Sequence, residues 1–212
     1  LQTASKLTTL VVDKTGTLTQ GKPSVTDAQM FGVEQSTALA LVHALERSSE
    51  HPLAAALMTY ADEHEANPAE INGFDSVTGG GVKAQTADGK ALLLGNARLL
   101  SEAGVDLKAG EEQARALEEQ ARTLVYLAVD GKLAALFGIS DPLRHDTVAA
   151  IKRLQKDGLT IVMLTGDNEH TARAIAQEVG IDEFRAGLLP EDKHAEIERR
   201  QKAGEIVGMV GD

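Results

Sequence analysis

The stretch best suited to chemistry is Asp13-Lys14-Thr15-Gly16-Thr17-Leu18-Thr19. A carboxylate beside a lysine and a magnesium ion can attack the terminal phosphorus of a nucleoside triphosphate and become an acyl phosphate. Such transfer asks mainly for alignment and neutralisation of charge. Three further segments offer the missing parts. Thr165-Gly166-Asp167 supplies a hydroxyl and backbone N–H groups suited to phosphoryl oxygens, and Lys193, at the start of a helix, supplies positive charge. Asp212 adds a second carboxylate for Mg²⁺, which favours octahedral oxygen ligation with several waters retained. Any one of these segments could be a plain turn, because Asp, Thr and Gly all favour turns. Matching polar clusters after several strand-like runs are harder to explain that way.

The elements that must position these groups read as alternating strands and helices. Residues 7–12, 159–164 and 205–210 are short β-branched or aliphatic runs that each stop at a Gly-containing polar turn. Between them, Val148, Ile151 and Leu154 recur at helical spacing, and Pro190 and Gly204 bracket a second helix at its expected start and stop. This βαβ pattern predicts a parallel sheet, whose strands all deliver their C-terminal ends to one edge. Asp13, Thr165, Asp167 and Asp212 should therefore converge.

The middle of the chain has a different grammar. A strand at 25–31 is followed by helices at 34–47 and 52–65, and then by strands at 71–77, 82–86, 90–94, 124–129 and 132–139. Asp88-Gly89 and Asp130-Gly131 are type I′ hairpin signals, which mean antiparallel pairing. Residues 24–137 thus read as an α+β domain inserted into a parallel domain made of 1–23 and 138–212. Gly21-Lys22-Pro23 and Ser140-Asp141-Pro142 would be the two crossings. Inside the insertion, the segment from Glu46 to Pro52 is either a ligand site or simply a helix entrance, with Pro52 at the first helical position and Ser48 or Ser49 as cap. Gly79-Gly80-Gly81 is either a close approach to a ligand or a flexible turn, and Gly95-Asn96 reads as a strand end and helix cap. His43, His64, His145, His170 and His194 lack ligand spacing, and the charge run at 111–122 reads as a solvated helix face.

Composition narrows the classes. With 212 residues, 42% apolar and 25% charged, the chain can bury a real core in one or two domains. The absence of cysteine excludes disulfides, a thiol nucleophile and Cys-based metal sites. A net charge of −11 and 3% aromatic residues argue against nucleic acid as a partner. No apolar run is long enough to span a membrane, and no secretory signal opens the chain, so these residues should be soluble.

Taken in order, DKTGTLT at 13–19, SEHPL at 49–53, DPLR at 141–144, TGDN at 165–168, LPEDK at 189–193 and the start of GDGxND at 211–212 resemble the P-type ATPases of the heavy-metal-transporting subgroup. The resemblance spans essentially the whole chain and concerns their cytoplasmic phosphorylation and nucleotide-binding domains. It implies a haloacid-dehalogenase-like Rossmannoid sheet carrying an inserted antiparallel nucleotide-binding domain. It implies Asp13 as the phosphorylated residue, with Lys14, Thr165, Gly166, Asp167 and Lys193 around the phosphate, and Mg²⁺ held by Asp13, the Thr15 carbonyl and Asp212. ATP would lie near Glu46, His51, Gly79, Gly81, Gly95 and Asn96, arriving with Mg²⁺ because an acidic protein must accept a tetra-anion. Related phosphatases carry an acidic residue two positions after the nucleophile. Thr15 stands there instead, so the acyl phosphate should persist long enough to drive a conformational cycle, the inserted domain swinging about its crossings to deliver ATP.

The same resemblance implies membrane and actuator domains in a longer parent chain, of which this would be a cytoplasmic, monomeric piece cut inside GDGxND. Copper is the expected cargo, from likeness to bacterial copper-exporting pumps at Ile71-Asn72-Gly73-Phe74, at 92–96 and at 127–132. Zinc, cadmium or lead pumps remain alternatives, as do a soluble dehalogenase-type phosphatase and a non-catalytic nucleotide-binding module. Thr15 speaks against the phosphatase.

Overall fold

The structure, a computed structural model, describes residues 6–211. In chain order its elements are β1 (Thr9–Asp13), β2 (Ser24–Met30), α1 (Gln35–Glu46), α2 (Pro52–Glu63), β3 (Ile71–Val77), β4 (Gly81–Thr86), β5 (Ala91–Gly95), α3 (Ala97–Glu102), α4 (Glu111–Glu119), β6 (Thr123–Val129) and β7 (Lys132–Ser140). There follow α5 (Thr147–Lys156), β8 (Thr160–Leu164), α6 (Glu169–Val179), β9 (Glu183–Arg185), α7 (Pro190–Lys202) and β10 (Val207–Val210). They form two units. One comprises the chain up to Lys22, residues 119–121 and everything from Asp141 onward, and the other comprises Pro23–Glu118 and Arg122–Ser140.

The first unit is a parallel sheet in the order β10-β1-β8-β9. Its central strands, β1 and β8, are buried on both faces, which is why they read as continuous apolar runs rather than alternating ones. Leu10, Val12, Ile161 and Met163 pack with Ile151 of α5 and with Ala172, Ile175 and Val179 of α6. Their neighbours Val11, Val162 and Leu164 point the other way, towards Leu188 and towards Ile197 of α7. Period-2 side-chain alternation therefore serves two helical layers at once. Val148, counted with Ile151 in the helical repeat, lies exposed, so the buried stripe of α5 is narrower than its apolar pattern.

The second unit is a six-stranded antiparallel sheet in the order β2-β7-β6-β5-β4-β3. Helices α1 and α2 cover one face over Leu92, Leu94, Leu127 and Phe137, while α3 and α4 cover the other over Leu124, Tyr126, Ala128 and Leu136. A register shift between Leu127 and Ala128 leaves Ala134 as an extra residue in β7, so Ala134 and its neighbour Ala135 join the same core.

Three expectations need correcting. Strand β7 runs on to Ser140 and pairs with β2 to that point, so residues 138–140 belong to the antiparallel sheet rather than to the parallel unit. Hydrogen bonding along a strand outlasts the hydrophobic run that signals it. At Asp130-Gly131 both residues have positive φ (54° and 80°), as a type I′ turn requires, but at Asp88-Gly89 only Gly89 does. That hairpin is instead closed by Thr86 N donating to Lys90 O and Gly89 N donating to Thr86 O, with Lys90 N donating to Thr86 Oγ1. Finally, β1 begins two residues later than the sequence pattern suggests and includes Asp13 as its last residue.

Candidate active site

Asp13 ends β1 opposite Leu164, the last residue of β8, so Thr165 follows at the same sheet edge. Only 6% of Asp13 is exposed. Its Oδ1 lies 3.2 Å from Lys193 Nζ, a charge contact without hydrogen-bond alignment, and this buried oxygen has no hydrogen-bond partner among the described residues. Lys193 reaches it from the first turn of α7, which Pro190 opens and where Asp192 Oδ2 accepts from Leu189 N at 2.9 Å. Beside this pair, Lys14 Nζ donates to Asp167 Oδ2 at 2.7 Å, with the side chains 6% and 9% exposed. Thr165 Oγ1 accepts from Asp167 N at 3.0 Å, which leaves its own proton to donate elsewhere. Gly187 N and Leu188 N donate to Asp167 O and Thr165 O, tying this loop to the segment that enters α7. Asp13, Lys14, Thr165, Gly166, Asp167 and Lys193 are thus brought to one edge. Asp212 lies outside the described residues. Gly211 beside it has φ +134°, and a Cβ there would stand 2.7 Å from Asp13 Oδ2, so only glycine fits against this carboxylate.

The loop after Asp13 is a single wide turn in which Thr19 N donates to Lys14 O, with Gly16 at φ +79°. What holds it is a segment read from sequence only as a domain crossing and as the DPLR motif, not as a brace for this loop. Gly16 N donates to Thr19 Oγ1, which donates to Asp141 Oδ2 at 2.6 Å, and Asp141 Oδ1 accepts from Lys22 N. Arg144 Nη2 donates to Gly16 O, and Leu18 O accepts from Arg144 N and Thr147 Oγ1. Both polar groups of the Gly16 peptide are therefore fixed from 19 and 144. The visible signal was the DPLR run itself; the partner, Thr19, is 122 residues away from Asp141 and could not be inferred from spacing.

These groups suit Mg²⁺. An orphaned carboxylate oxygen at the mouth of a parallel sheet is a hard donor, and Thr15, exposed on the turn, adds a backbone carbonyl. Among the described residues no cluster of three or more His, Asp or Glu forms a protein-only cage, and an ion that keeps its waters does not need one.

In the other unit, Glu46 is 7% exposed at the end of α1, and burial pushes its carboxyl up from 4.5 to about 7. His51 is the N-cap of α2. Its Nδ1 accepts from Leu53 N at 3.1 Å, so the helix-entrance reading is correct as local structure, and in the neutral ring the proton then sits on Nε2. The residue is exposed as a whole, yet the protein crowding the ring lowers its pKa below 6.5. Ser49 Oγ accepts from His51 N and Ser49 N donates to Glu46 O, linking the two. Gly81 and Gly95 are cross-strand partners, which brings Gly79 to Gly81 against Gly95-Asn96. Among the described residues, the remaining histidines form no metal-like cluster; His43 Nε2 lies 2.9 Å from Asp62 Oδ1.

A parallel sheet with a buried carboxylate at the tip of its first strand and a helix-borne lysine beside it defines a class: the chain belongs to the haloacid dehalogenase-like hydrolase family, with a match over residues 7–212. Within it, the whole chain is 46% identical to 25% of a copper-transporting P-type ATPase from Rhizobium leguminosarum bv. viciae. Among solved structures, the catalytic domain of the CPx-ATPase CopB-B, described in a study of nucleotide binding, is 29% identical with a TM-score of 0.76, over 98% of this chain and 71% of that one. A zinc-transporting PIB-type ATPase is 35% identical with a TM-score of 0.58, over 98% of this chain and 33% of that one. These likenesses bear out the P-type ATPase resemblance and the fold class. The chain spans about a quarter of the length of the Rhizobium relative.

Proposed function

We propose that this chain is the ATP-binding and phosphorylation region of a P-type ATPase that exports copper, and that Asp13 is its phosphorylated residue. The observation that carries the reading is the buried, unbonded Asp13 Oδ1 beside Lys193 Nζ at the C-terminal edge of the sheet. An Asp13 carboxylate oxygen attacks the γ-phosphorus of ATP. The bond from that phosphorus to the β,γ-bridging oxygen breaks, and ADP leaves with the electron pair. Lys193 offsets charge on the transferring group, the Thr165 hydroxyl donates to one of its oxygens, and Asp167 holds Lys14 in place. Mg²⁺, held by Asp13, the Thr15 carbonyl and Asp212, would neutralise further charge on the phosphates. Thr15 offers no acid or base to speed hydrolysis, so the acyl phosphate lasts.

Glu46, His51, Gly79, Gly81, Gly95 and Asn96 form the ATP site in the inserted unit, which delivers the nucleotide about the crossings at 22–23 and 140–141. The name of the Rhizobium relative supports copper as the cargo, and the zinc-transporting neighbour keeps zinc as the second reading. The parent protein would place this region in the cytoplasm beside membrane and actuator domains. Among the described residues no helix is long and apolar enough to cross a membrane.

Incubation with γ-labelled ATP and Mg²⁺, quenched in acid, should leave a label that hydroxylamine removes. Asp13→Asn should abolish the label and retain ATP binding; label persisting in that variant refutes the assignment.

A further inference from the structure

The glycines at 81 and 95 answer to the sheet before they answer to any ligand. A Cβ on Gly81 would stand 2.0 Å from Leu94 O, and one on Gly95 would stand 2.1 Å from Gly80 O. The backbones of the 79–81 turn and the 95–96 strand end are therefore in direct contact, and Asn96 fastens them. Its backbone N–H donates to Gly80 O at 2.9 Å, and its Nδ2 donates to Gly79 O at 2.7 Å. Its Oδ1 accepts from Leu99 N at 2.9 Å, capping α3. The two side-chain contacts agree on which end of the amide is oxygen, since Leu99 N needs an acceptor and Gly79 O a donor.

From this we infer that Asn96 is a positioning residue. It acts as a clasp that sets the conformation of the Gly79–Gly81 turn before nucleotide arrives, rather than a group that touches the nucleotide. The proposal rests on the reading of this turn as part of the ATP site. Two successive carbonyls, on residues of which Gly79 has φ +72°, are pinned by one side chain and its own backbone, so a turn that would otherwise sample many states is held in one. Holding a loop in its bound form removes ordering entropy from the binding step.

The chemistry demands a carboxamide. Aspartate keeps the cap but sets a carboxylate oxygen against Gly79 O. Serine also keeps the cap, yet its single short hydroxyl cannot serve Leu99 N and reach Gly79 O together.

The test uses the chain as it stands, with Asn96→Ser and Asn96→Asp. Both should bind ATP about tenfold more weakly by titration calorimetry, the loss of roughly one hydrogen bond's worth of preorganisation. Thermal midpoints should stay within about 3 °C of the parent because the cap survives. In the ATP-free protein, the amide resonances of Gly79 to Gly81 should already be displaced. The serine variant separates the clasp from simple repulsion between a new carboxylate and ATP. Unchanged affinity in both variants overturns the proposal while leaving the ATP site intact. Weakened affinity with unmoved resonances in the ATP-free chain also overturns it, because Asn96 would then act by touching the ligand. Failure of the unsubstituted chain to bind ATP would sink the nucleotide reading itself, and this proposal with it.

Discussion

Replacing Glu46 with Gln should stabilise the antiparallel unit in alkaline solution and leave it nearly unchanged in acid. The carboxyl is 7% exposed, and burial raises it from 4.5 to about 7. A raised acid binds its proton more tightly in the folded than in the unfolded chain. Its contribution is therefore complete below about pH 4.5 and is lost progressively as pH climbs through about 7. Above that window the deficit amounts to about 3 kcal/mol, from about 1.4 kcal/mol for each tenfold difference in proton affinity. Glutamine cannot ionise and escapes the loss.

The measurement is convenient because tryptophan is absent and the two tyrosines, Tyr60 and Tyr126, both belong to this unit. Tyrosine emission during urea unfolding therefore follows it alone. Burial, assisted by Glu118, holds Tyr126 up at about 12, so it stays protonated through the range. The stabilities of the two proteins should converge near about pH 4.5 and separate by about 3 kcal/mol by about pH 8.5. Parallel pH profiles would refute the reasoning, since they would show Glu46 solvated like an ordinary surface carboxylate.

Two further perturbations probe the parallel unit. Arg200 is 4% exposed and pairs with Glu183, Glu196 and Glu205 at 2.6, 2.8 and 3.2 Å. Arg200→Leu should destabilise by about 3–5 kcal/mol, and adding Glu196→Leu should recover part of this, because an unpaired buried charge is worse than none; thermal melts of the double-mutant cycle decide it. Thr19→Ala removes the acceptor of Gly16 N–H and the donor to Asp141, so it should cost about 2 kcal/mol and slow acyl-phosphate formation, with Thr19→Ser restoring both; equal labelling rates in all three would show that this bracing is irrelevant to Asp13.

Much of the architecture was legible because it is written in short-range pattern. Apolar runs that end in Asp, Thr and Gly mark parallel strands and place their polar ends at one edge, and β1 and β8 do bring Asp13 and Thr165 there. Less legible were features that depend on a partner far along the chain. Strand β9, three residues long and half-buried, carries no run of its own and exists because β8 offers it an edge. The turn at 88–89 has the composition of a type I′ hairpin, yet the register of β4 and β5 selects another closure.

What the sequence alone determined is the set of chemical groups: a carboxylate after a strand, two lysines, a threonine, and glycines in two places. Periodicity and turn chemistry are local, so the order of helices and strands, and which strand ends carry polar residues, can be read from neighbours three or four positions away. Tertiary structure decided which of those groups meet and in what state. Lys193 reaches Asp13 only because α7 docks on the sheet, and Gly95 is required only because Gly80 O lies against it. Glu46 acquires its altered affinity for a proton only from the core that closes around it. Contact, dielectric and close approach are properties of segments distant in sequence, and no spacing along one chain encodes them.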